Sequence, residues 1–455
     1  MEVASEKAVL SKITWRLIPF LFLLYIVAYL DRTNVGFAKL EMKHLTWFSD
    51  PKLDVFGLGS GIFFLGYFLF EIPSNLLLER VGARWWIARI MITWGLIAAA
   101  MMFCTSAPMF FGLRFLLGIA EAGFFPGIIL YLTYWYTAED RAKMVALFMT
   151  ATALASTFGG PVSGFILSLK PPMLGPWHLA NWQWMFVLEG LPAVLLAFVV
   201  LWYLPDGPKK AAWLSPGEQE WVSERISAEG RRKAKHGRNH LGAAFSTPGI
   251  LPLCLLYFTI AMTTYGVAFW FPTLLKDSGV TRPFHVGLLT SIPYGLAAIC
   301  MVLNGRNSDR TGERRLHVAG PLFLTAAGLA LSAFQTGTVG IMLAMTVAII
   351  GIYCPLGPFW SLPTALLGGA AAAAGIAFVN SVGNLGGFTG PALVGWIQSR
   401  FPHDPHAGVR AALLMLAGVA VLGGITALLV RREQTAPPPD EVELPMEERK
   451  SAGRS

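Results

Sequence analysis

The sequence predicts an all-α membrane protein of twelve transmembrane helices in two six-helix bundles, with both termini in the cytoplasm. Three observations predict it. The 455 residues are 55% apolar and only 14% charged, against roughly 25% charged in ordinary soluble chains. The apolar residues fall in long blocks, each near the ~20 residues that cross a bilayer core. Lysine and arginine are sorted to one side of those blocks. With a mean hydropathy of +0.56, the composition excludes a soluble enzyme, a disordered chain and a disulfide scaffold.

Taken in order, the candidate spans are 15–38, 57–78, 85–105, 109–134, 143–168 and 183–204, then 249–275, 284–304, 316–334, 338–361, 371–398 and 408–430. The first opens near Trp15 and runs past Tyr29, longer than a signal-peptide core and without a small-residue cleavage site. Between the two sets lies the long polar stretch 205–248. It carries Ser215-Pro216-Gly217-Glu218, a capping box with Pro at the first helical position, which predicts a short surface helix through Trp221 and Arg225. The organisation expected is a bundle over 1–204, a cytoplasmic linker over 205–248, a second bundle over 249–431 and a disordered tail over 432–455. The tail combines Pro437-Pro438-Pro439 with scattered charges.

Orientation follows from the basic residues. With the N-terminus inside, 25 of the 35 lysines and arginines fall on the cytoplasmic side and eight on the other; Arg32 and Arg114 lie within spans. Trp85-Trp86, Trp135-Tyr136 and Trp202-Tyr203 sit at cytoplasmic span ends, where interfacial aromatics belong. The formal charge of +8 is therefore loop-sorted positive charge facing a lipid bilayer, not a patch for nucleic acid. Cys104, Cys254, Cys300 and Cys354 are dispersed through apolar blocks without C-x-x-C spacing. They read as small buried hydrophobes, and no metal site, redox pair or cofactor follows.

Two motifs recur at one offset. Glu79-Arg80-x-Gly82-x-Arg84 follows span two and Asp309-Arg310-x-Gly312-x-Arg314 follows span eight, 230 residues later; Gly160-Pro161 and Gly390-Pro391 are separated by the same 230. A parallel internal repeat is implied. Plain positive-inside loops would explain the arginines, but not the placed glycine and acid. A tight turn needs Gly, and a carboxylate among arginines makes a charge lock at the membrane surface. With Arg141 between spans four and five, these residues form the expected conformational-gating set.

Mid-span charge is expensive, at least ~2.5–3.5 kcal/mol on insertion scales. The candidates are Asp31, Arg32, Glu71, Arg114, Glu121 and Glu189, all in the first half. All eight histidines lie in loops or near span ends, so a proton relay must use carboxylates. Arg114 and Glu121 are seven residues apart, which places them on one helix face about 10.5 Å apart. A substrate carboxylate can meet Arg114 while Glu121 takes a proton. Arg32 supplies a second cation; Asp31, ~100° round the helix, is a candidate for holding an arginine or for carrying protons. The competing reading is a structural network pinning spans one and four together. For Glu71, near Pro73, helix packing and proton transfer are equally open, while Glu189 reads as structural. In the second half Asn380 and Asn384, four apart, share one face of span eleven; the glycines around them suit close helix packing. Asn384 suits a substrate hydroxyl, and Trp360 a flat or sugar-like body.

These loops and spans, with the central linker, resemble the major facilitator superfamily. Within it, Tyr29-x-Asp31-Arg32-x-Asn34, Arg114 with Glu121, Trp184-x-Phe186-x-x-Glu189-Gly190-Leu191-Pro192 and Asn380-x-x-Gly383-Asn384-x-Gly386-Gly387 resemble the anion:cation symporter family. The resemblance implies proton-coupled uptake of tartrate-like dicarboxylates, sugar acids or aromatic carboxylates across a bacterial inner membrane. Some eukaryotic relatives carry another Arg in span seven, where this chain has the uncharged Thr263-Thr264-Tyr265. The expected substrate-binding set is Arg32, Arg114, Tyr29, Tyr67, Tyr265, Trp360, Asn380 and Asn384, with Asp31 and Glu121 coupling protons. The partners are a small organic anion, protons and the bilayer, and the protein is expected to be a monomer. An enzyme is disfavoured, since no deep histidine or clustered cysteine supplies a nucleophile–base pair. The rival within transporters is proton-driven export of drugs or metabolites, against which two inward arginines argue for cationic substrates. A transporter-like sensor is a more distant reading, because the linker and tail are short.

Overall fold

The computed structural model describes residues 3–49, 53–169, 179–235, 249–366 and 369–430. It is helical throughout these residues. In chain order the helices are α1 (Val3–Thr33), α2 (Val35–Met42), α3 (Val55–Val81), α4 (Ala83–Ala100), α5 (Ala107–Glu121), α6 (Phe124–Thr133), α7 (Ala138–Ser168) and α8 (Asn181–Tyr203). After α9 (Pro216–Lys235) come α10 (Ile250–Asp277), α11 (Pro283–Thr311), α12 (Arg315–Ser332), α13 (Thr338–Tyr353), α14 (Leu356–Leu366), α15 (Gly369–Ser399) and α16 (Pro405–Leu429). Among the described residues, ten segments are long and apolar enough to cross a membrane. The fifth and eleventh expected spans coincide with the 31-residue helices α7 and α15.

Three expected spans have different shapes from uniform rods. The first begins at Val3 rather than near residue 15, because Val9, Ile13 and Leu17 are buried and extend its packed face. It continues through Asn34, whose N–H donates to Leu30 O at 2.9 Å and whose carbonyl accepts from Ala38 N at 2.9 Å, so α1 and α2 form one rod. The fourth span breaks at Ala122-Gly123. Gly123 has φ +85° and lies so close to α3 that a β-carbon there would stand 2.3 Å from Ser74 Oγ; only glycine meets both conditions without strain. Pro355 interrupts the tenth span between α13 and α14, since it offers no N–H to the helical ladder.

The molecule is apolar on its outside. Leu195, Phe198, Trp202, Leu343 and Leu429 are all more than half exposed, the reverse of a water-soluble fold and suited to lipid contact. Helix association in lipid depends on close packing rather than on expelling water, and small residues provide it. α7 packs along α11, and α3 along α15, so these four helices carry the seam between the halves. A β-carbon on Gly57 would stand 2.6 Å from Pro391 O, one on Gly61 2.7 Å from Phe388 O, and one on Gly160 2.7 Å from Gly287 O. These approaches lie on the face away from the N-terminus, hereafter the far face; the N-terminus, α9 and the 80s and 310s loops mark the terminal face. Lys276 adds a far-face bond across the halves, donating to Leu40 O at 2.7 Å.

On the terminal face the capping box forms as the residues dictate. Ser215 N–H donates to Glu218 Oε2 at 2.7 Å, and Glu218 N–H donates to Ser215 Oγ at 3.3 Å. α9 docks on the first half through Lys12–Glu218 (2.9 Å) and Arg225–Asp140 (2.9 Å), and the segment leading into it through a stacked Trp135–Trp213 pair with centroids 5.8 Å apart. The rest of the expected linker, 236–248, and the expected disordered tail, 432–455, lie outside the described residues.

Both repeat loops turn on glycine at positive φ, +97° at Gly82 and +67° at Gly312. Neither glycine has an atom within 4 Å of where a β-carbon would go, so backbone conformation, not crowding, requires it. In the second loop Arg314 pairs with Asp309 at 2.5 Å and donates to Ser308 Oγ at 3.1 Å. In the first, Arg84 Nε lies 3.6 Å from Asp206, beyond the end of α8. The Glu79 side chain lies outside the described set. Arg141, in the first turn of α7, is partly buried.

Candidate functional site

At the seam, both halves enclose a cavity. α1 contributes Tyr25, Tyr29 and Arg32; α3 gives Tyr67; α6 and α7 give Phe125, Met149 and Thr152. From the second half come Tyr257, Thr264 and Tyr265 on α10, Tyr353 ending α13, Trp360 on α14, and Asn380 and Asn384 on α15. Spacing explains the alignment: Tyr25, Tyr29 and Arg32 recur at four and three residues on one helix face. Seven of the eight side chains expected to bind substrate line this one cavity, although they come from five helices; the eighth, Arg114, does not.

Among the described residues, Arg32 is the one basic side chain in the lining. Its guanidinium reaches both halves, donating to Tyr265 OH at 3.0 Å through Nη1 and pairing with Glu121 Oε1 through Nη2. Phe63 and Tyr67 present ring faces to it at 5.3 and 5.4 Å. Arg32 is therefore held from four sides and preorganised in the cavity wall. Glu121 is 1% exposed, so this ion pair is shielded and strong in its coupling, and leaving either partner alone there would be costly.

Arg114 occupies a different place from the one its sequence position suggests. It is fully buried, donating from Nε to Gly59 O at 3.2 Å and from Nη2 to Ser60 O at 3.3 Å. Nη1 has no hydrogen-bond partner among the described residues. Phe63 separates it from Arg32, its ring centroid 5.1 Å from the Arg114 guanidinium. Arg114 thus clamps α5 to the small-residue stretch of α3. The acid on its own helix face, Glu121, pairs with Arg32 instead. The reason is the break at Ala122-Gly123, which leaves Glu121 at the helix end, free to turn toward α1.

The remaining buried acids are each separately engaged. Asp31 Oδ2 accepts from Trp94 Nε1 at 2.9 Å, tying α1 to α4 outside the cavity lining. Glu189 accepts from Ser163 Oγ at 2.7 Å. Glu71 crosses the seam, accepting from Asn380 Nδ2 at 2.5 Å and Ser381 Oγ at 2.7 Å. A second chain of polar contacts also crosses it: Tyr29 OH lies 3.1 Å from Tyr353 OH, itself 3.0 Å from Ser156 Oγ.

Sequence reasoning did not anticipate Tyr25, Tyr257 and Tyr353 in the lining. Their signal was present but weak, since tyrosine also belongs at membrane interfaces. Tyr257 stacks on Phe359 (5.1 Å, 13°) and meets Trp360 edge-on at 4.9 Å. Among the described residues the cavity is therefore predominantly aromatic and phenolic, with a single cation.

The sequence profile described as Major Facilitator Superfamily matches residues 21–391. A protein of Agrobacterium vitis carrying the provisional name tartrate transporter is 46% identical over 432 residues, 95% of this chain and 96% of its own length. A quinolone resistance transporter of Acinetobacter baumannii is 40% identical over 421 residues, covering 92% of this chain and 94% of its own. In three dimensions, a bacterial homologue of the human lysosomal transporter Spinster, solved in an inward-facing, occupied conformation, superposes with a TM-score of 0.73. The alignment covers 91% of this chain and 96% of that one at 16% identity, so the likeness is one of fold.

Proposed function

The chain belongs to the major facilitator superfamily, as a multi-pass inner-membrane secondary transporter and not an enzyme, and from that premise we propose that it takes up a small organic anion together with protons. The substrate classes are a tartrate-like dicarboxylate, a sugar acid or an aromatic carboxylate. The observation that carries the reading is the Arg32–Glu121 pair at a cavity walled by both halves. Arg32 can exchange one carboxylate for another. When a substrate carboxylate takes its guanidinium, Glu121 loses its counterion in a dry site, where the neutral acid is favoured. Proton uptake on Glu121 then accompanies anion binding. Arg114, one ring away, limits the cost of the exchange.

The aromatic walls suit the body of the substrate, and the phenols of Tyr25, Tyr67 and Tyr257 with the amide of Asn384 suit its oxygens. Asp31, bonded to Trp94, is the second acid of the coupling set. We place twelve spans in the membrane and both termini in the cytoplasm, as the basic-residue asymmetry requires. The far face is then periplasmic, and its glycine-mediated seal makes this the cytoplasm-facing state. The protein works as a monomer, because one chain supplies both walls of the cavity.

The test uses purified protein in proteoliposomes. Thermal-shift screening against hydroxy acids, sugar acids and aromatic acids selects the labelled substrate. Glu121→Gln should still exchange labelled for unlabelled substrate but lose accumulation driven by a pH gradient. Accumulation at the wild-type level in that variant would remove Glu121 from coupling. A second reading, proton-driven export, is favoured by the likeness to a quinolone resistance transporter. Proton-gradient-driven extrusion of a lipophilic cation, with no response to any carboxylate, would select it.

A further inference from the structure

Glu71 is a buried acid that the coupling scheme leaves unused. It is fully enclosed on α3 and spends both oxygens on the opposite half, Oε1 on Asn380 and Oε2 on Ser381. Asn380 lines the cavity, as does Tyr67, one helical turn from Glu71 on α3. Ser381 lies beyond the lining. α3 runs from the far face toward the terminal face, so Glu71 sits one turn nearer the terminal face than the cavity wall at Tyr67. The charged or titratable groups acting on it are Arg32 from α1, Tyr67 from its own helix and Tyr257 from α10. α15 offers it only neutral donors.

We propose that Glu71, Asn380 and Ser381 form a proton-sensitive clasp between α3 and α15 that limits how far the halves part at the terminal face. The chemistry lies in the charge. A carboxylate accepts two charge-assisted bonds at once, whereas a protonated carboxyl keeps only neutral ones, its carbonyl accepting from Asn380 and its O–H donating to Ser381 Oγ, so protonation weakens the clasp. Packing alone does not need an acid here, because a buried carboxylate is a costly way to join two helices. Asn380 makes the clasp responsive to cargo, since a substrate oxygen that engages its amide competes with Glu71 for it. This role depends on alternating access and not on which anion is carried.

The clasp is tested by the distance between nitroxides at Trp85→Cys and Leu316→Cys, both exposed on the terminal face in opposite halves. Glu71→Gln at pH 8 should raise the population with widely parted terminal-face labels about tenfold, the effect of losing one charge-assisted hydrogen bond. Ser381→Ala should shift it in the same direction, and the double variant no further than Glu71→Gln alone. At pH 5 the difference between wild type and Glu71→Gln should shrink to less than about twofold, since both then carry a neutral group. Exchange of substrate should be less affected than net uptake, which requires the empty carrier to return. Unchanged distances in both single variants at pH 8 would overturn the clasp. A shift of equal size at pH 5 and pH 8 would overturn its proton sensitivity and leave only shape.

Discussion

The two halves face the same cavity with opposite chemistry. The first half holds every mid-span charge: Asp31, Arg32, Glu71, Arg114, Glu121 and Glu189, all buried. The second half brings Tyr257, Tyr265, Tyr353, Asn380, Ser381 and Trp360, none of them charged. Yet around the cavity each first-half group that reaches across is met by a neutral partner: Arg32 by Tyr265, Glu71 by Asn380 and Ser381, Tyr29 by Tyr353; the cross-half ion pair Lys43–Asp277, at 3.7 Å, lies out at the far face. The difference teaches a division of labour. Charges concentrated in one half can exchange partners among themselves, while neutral donors opposite them can be made and broken without stranding a charge in lipid. A rocking movement between two charged faces would have to separate ion pairs at every cycle.

The largest effect that would break this comparison is expected at Arg32. Arg32→Lys loses the planar fork that reaches Glu121 and Tyr265 together. Initial uptake in proteoliposomes should fall about 100-fold, as expected for losing charge-assisted bonds of about 1.5–3 kcal/mol each, with insertion intact by gel filtration. Wild-type uptake would move the anion site elsewhere.

Arg114→Lys should come next and act differently. One ammonium cannot reproduce a guanidinium bonded to Gly59 O and Ser60 O, so the variant should lose about 2 kcal/mol of stability and melt earlier. Substrate affinity in this access state should stay within about threefold, since Arg114 stands behind Phe63 and not in the lining. A large loss of affinity with an unchanged melting point would return Arg114 to the binding set.

On the neutral half, Tyr353→Phe removes bonds to Tyr29 and Ser156. Turnover should change only about three- to fivefold, the scale of a neutral hydrogen bond near 1 kcal/mol. A loss as severe as that of Arg32→Lys would mean that the second half does more than offer replaceable donors.

The smallest effect concerns α9 at the terminal face. Lys12, followed by the Ser215 N–H, holds the Glu218 carboxyl below the usual carboxylate range. A folded-state value below the unfolded one stabilises docking above the unfolded value, and this contribution disappears as pH falls through the folded value. Protease nicking of α9 in detergent should therefore stay constant from pH 8 to about pH 5 and rise below about pH 4. Ser215→Ala should raise it at neutral pH by removing one capping bond.

Much of the architecture was legible in the residues because bilayer thickness imposes a length on every apolar block. The repeat loops were legible for a similar reason, since Gly82 and Gly312 both occupy positive φ. The interruptions were less so. Gly123 was one glycine among many in span four, and its special conformation depends on Ser74 approaching from another helix. Among the candidate residues, helical spacing placed Asn380 and Asn384 on one face, and both line the cavity. It could not pair them across the seam.

By itself, then, the sequence determined the all-helical, multi-pass class, where the apolar blocks lie, and which residues carry charge within them. These are properties of composition and local spacing, governed by transfer from water to hydrocarbon. Tertiary structure alone decided the partners: Glu121 with Arg32 rather than Arg114, Asp31 with Trp94, and Glu71 with two donors more than 300 residues away. A helix face specifies a direction, but a hydrogen bond needs a position within a few tenths of an ångström. That position is set by how closely glycine-bearing helices from opposite halves approach one another.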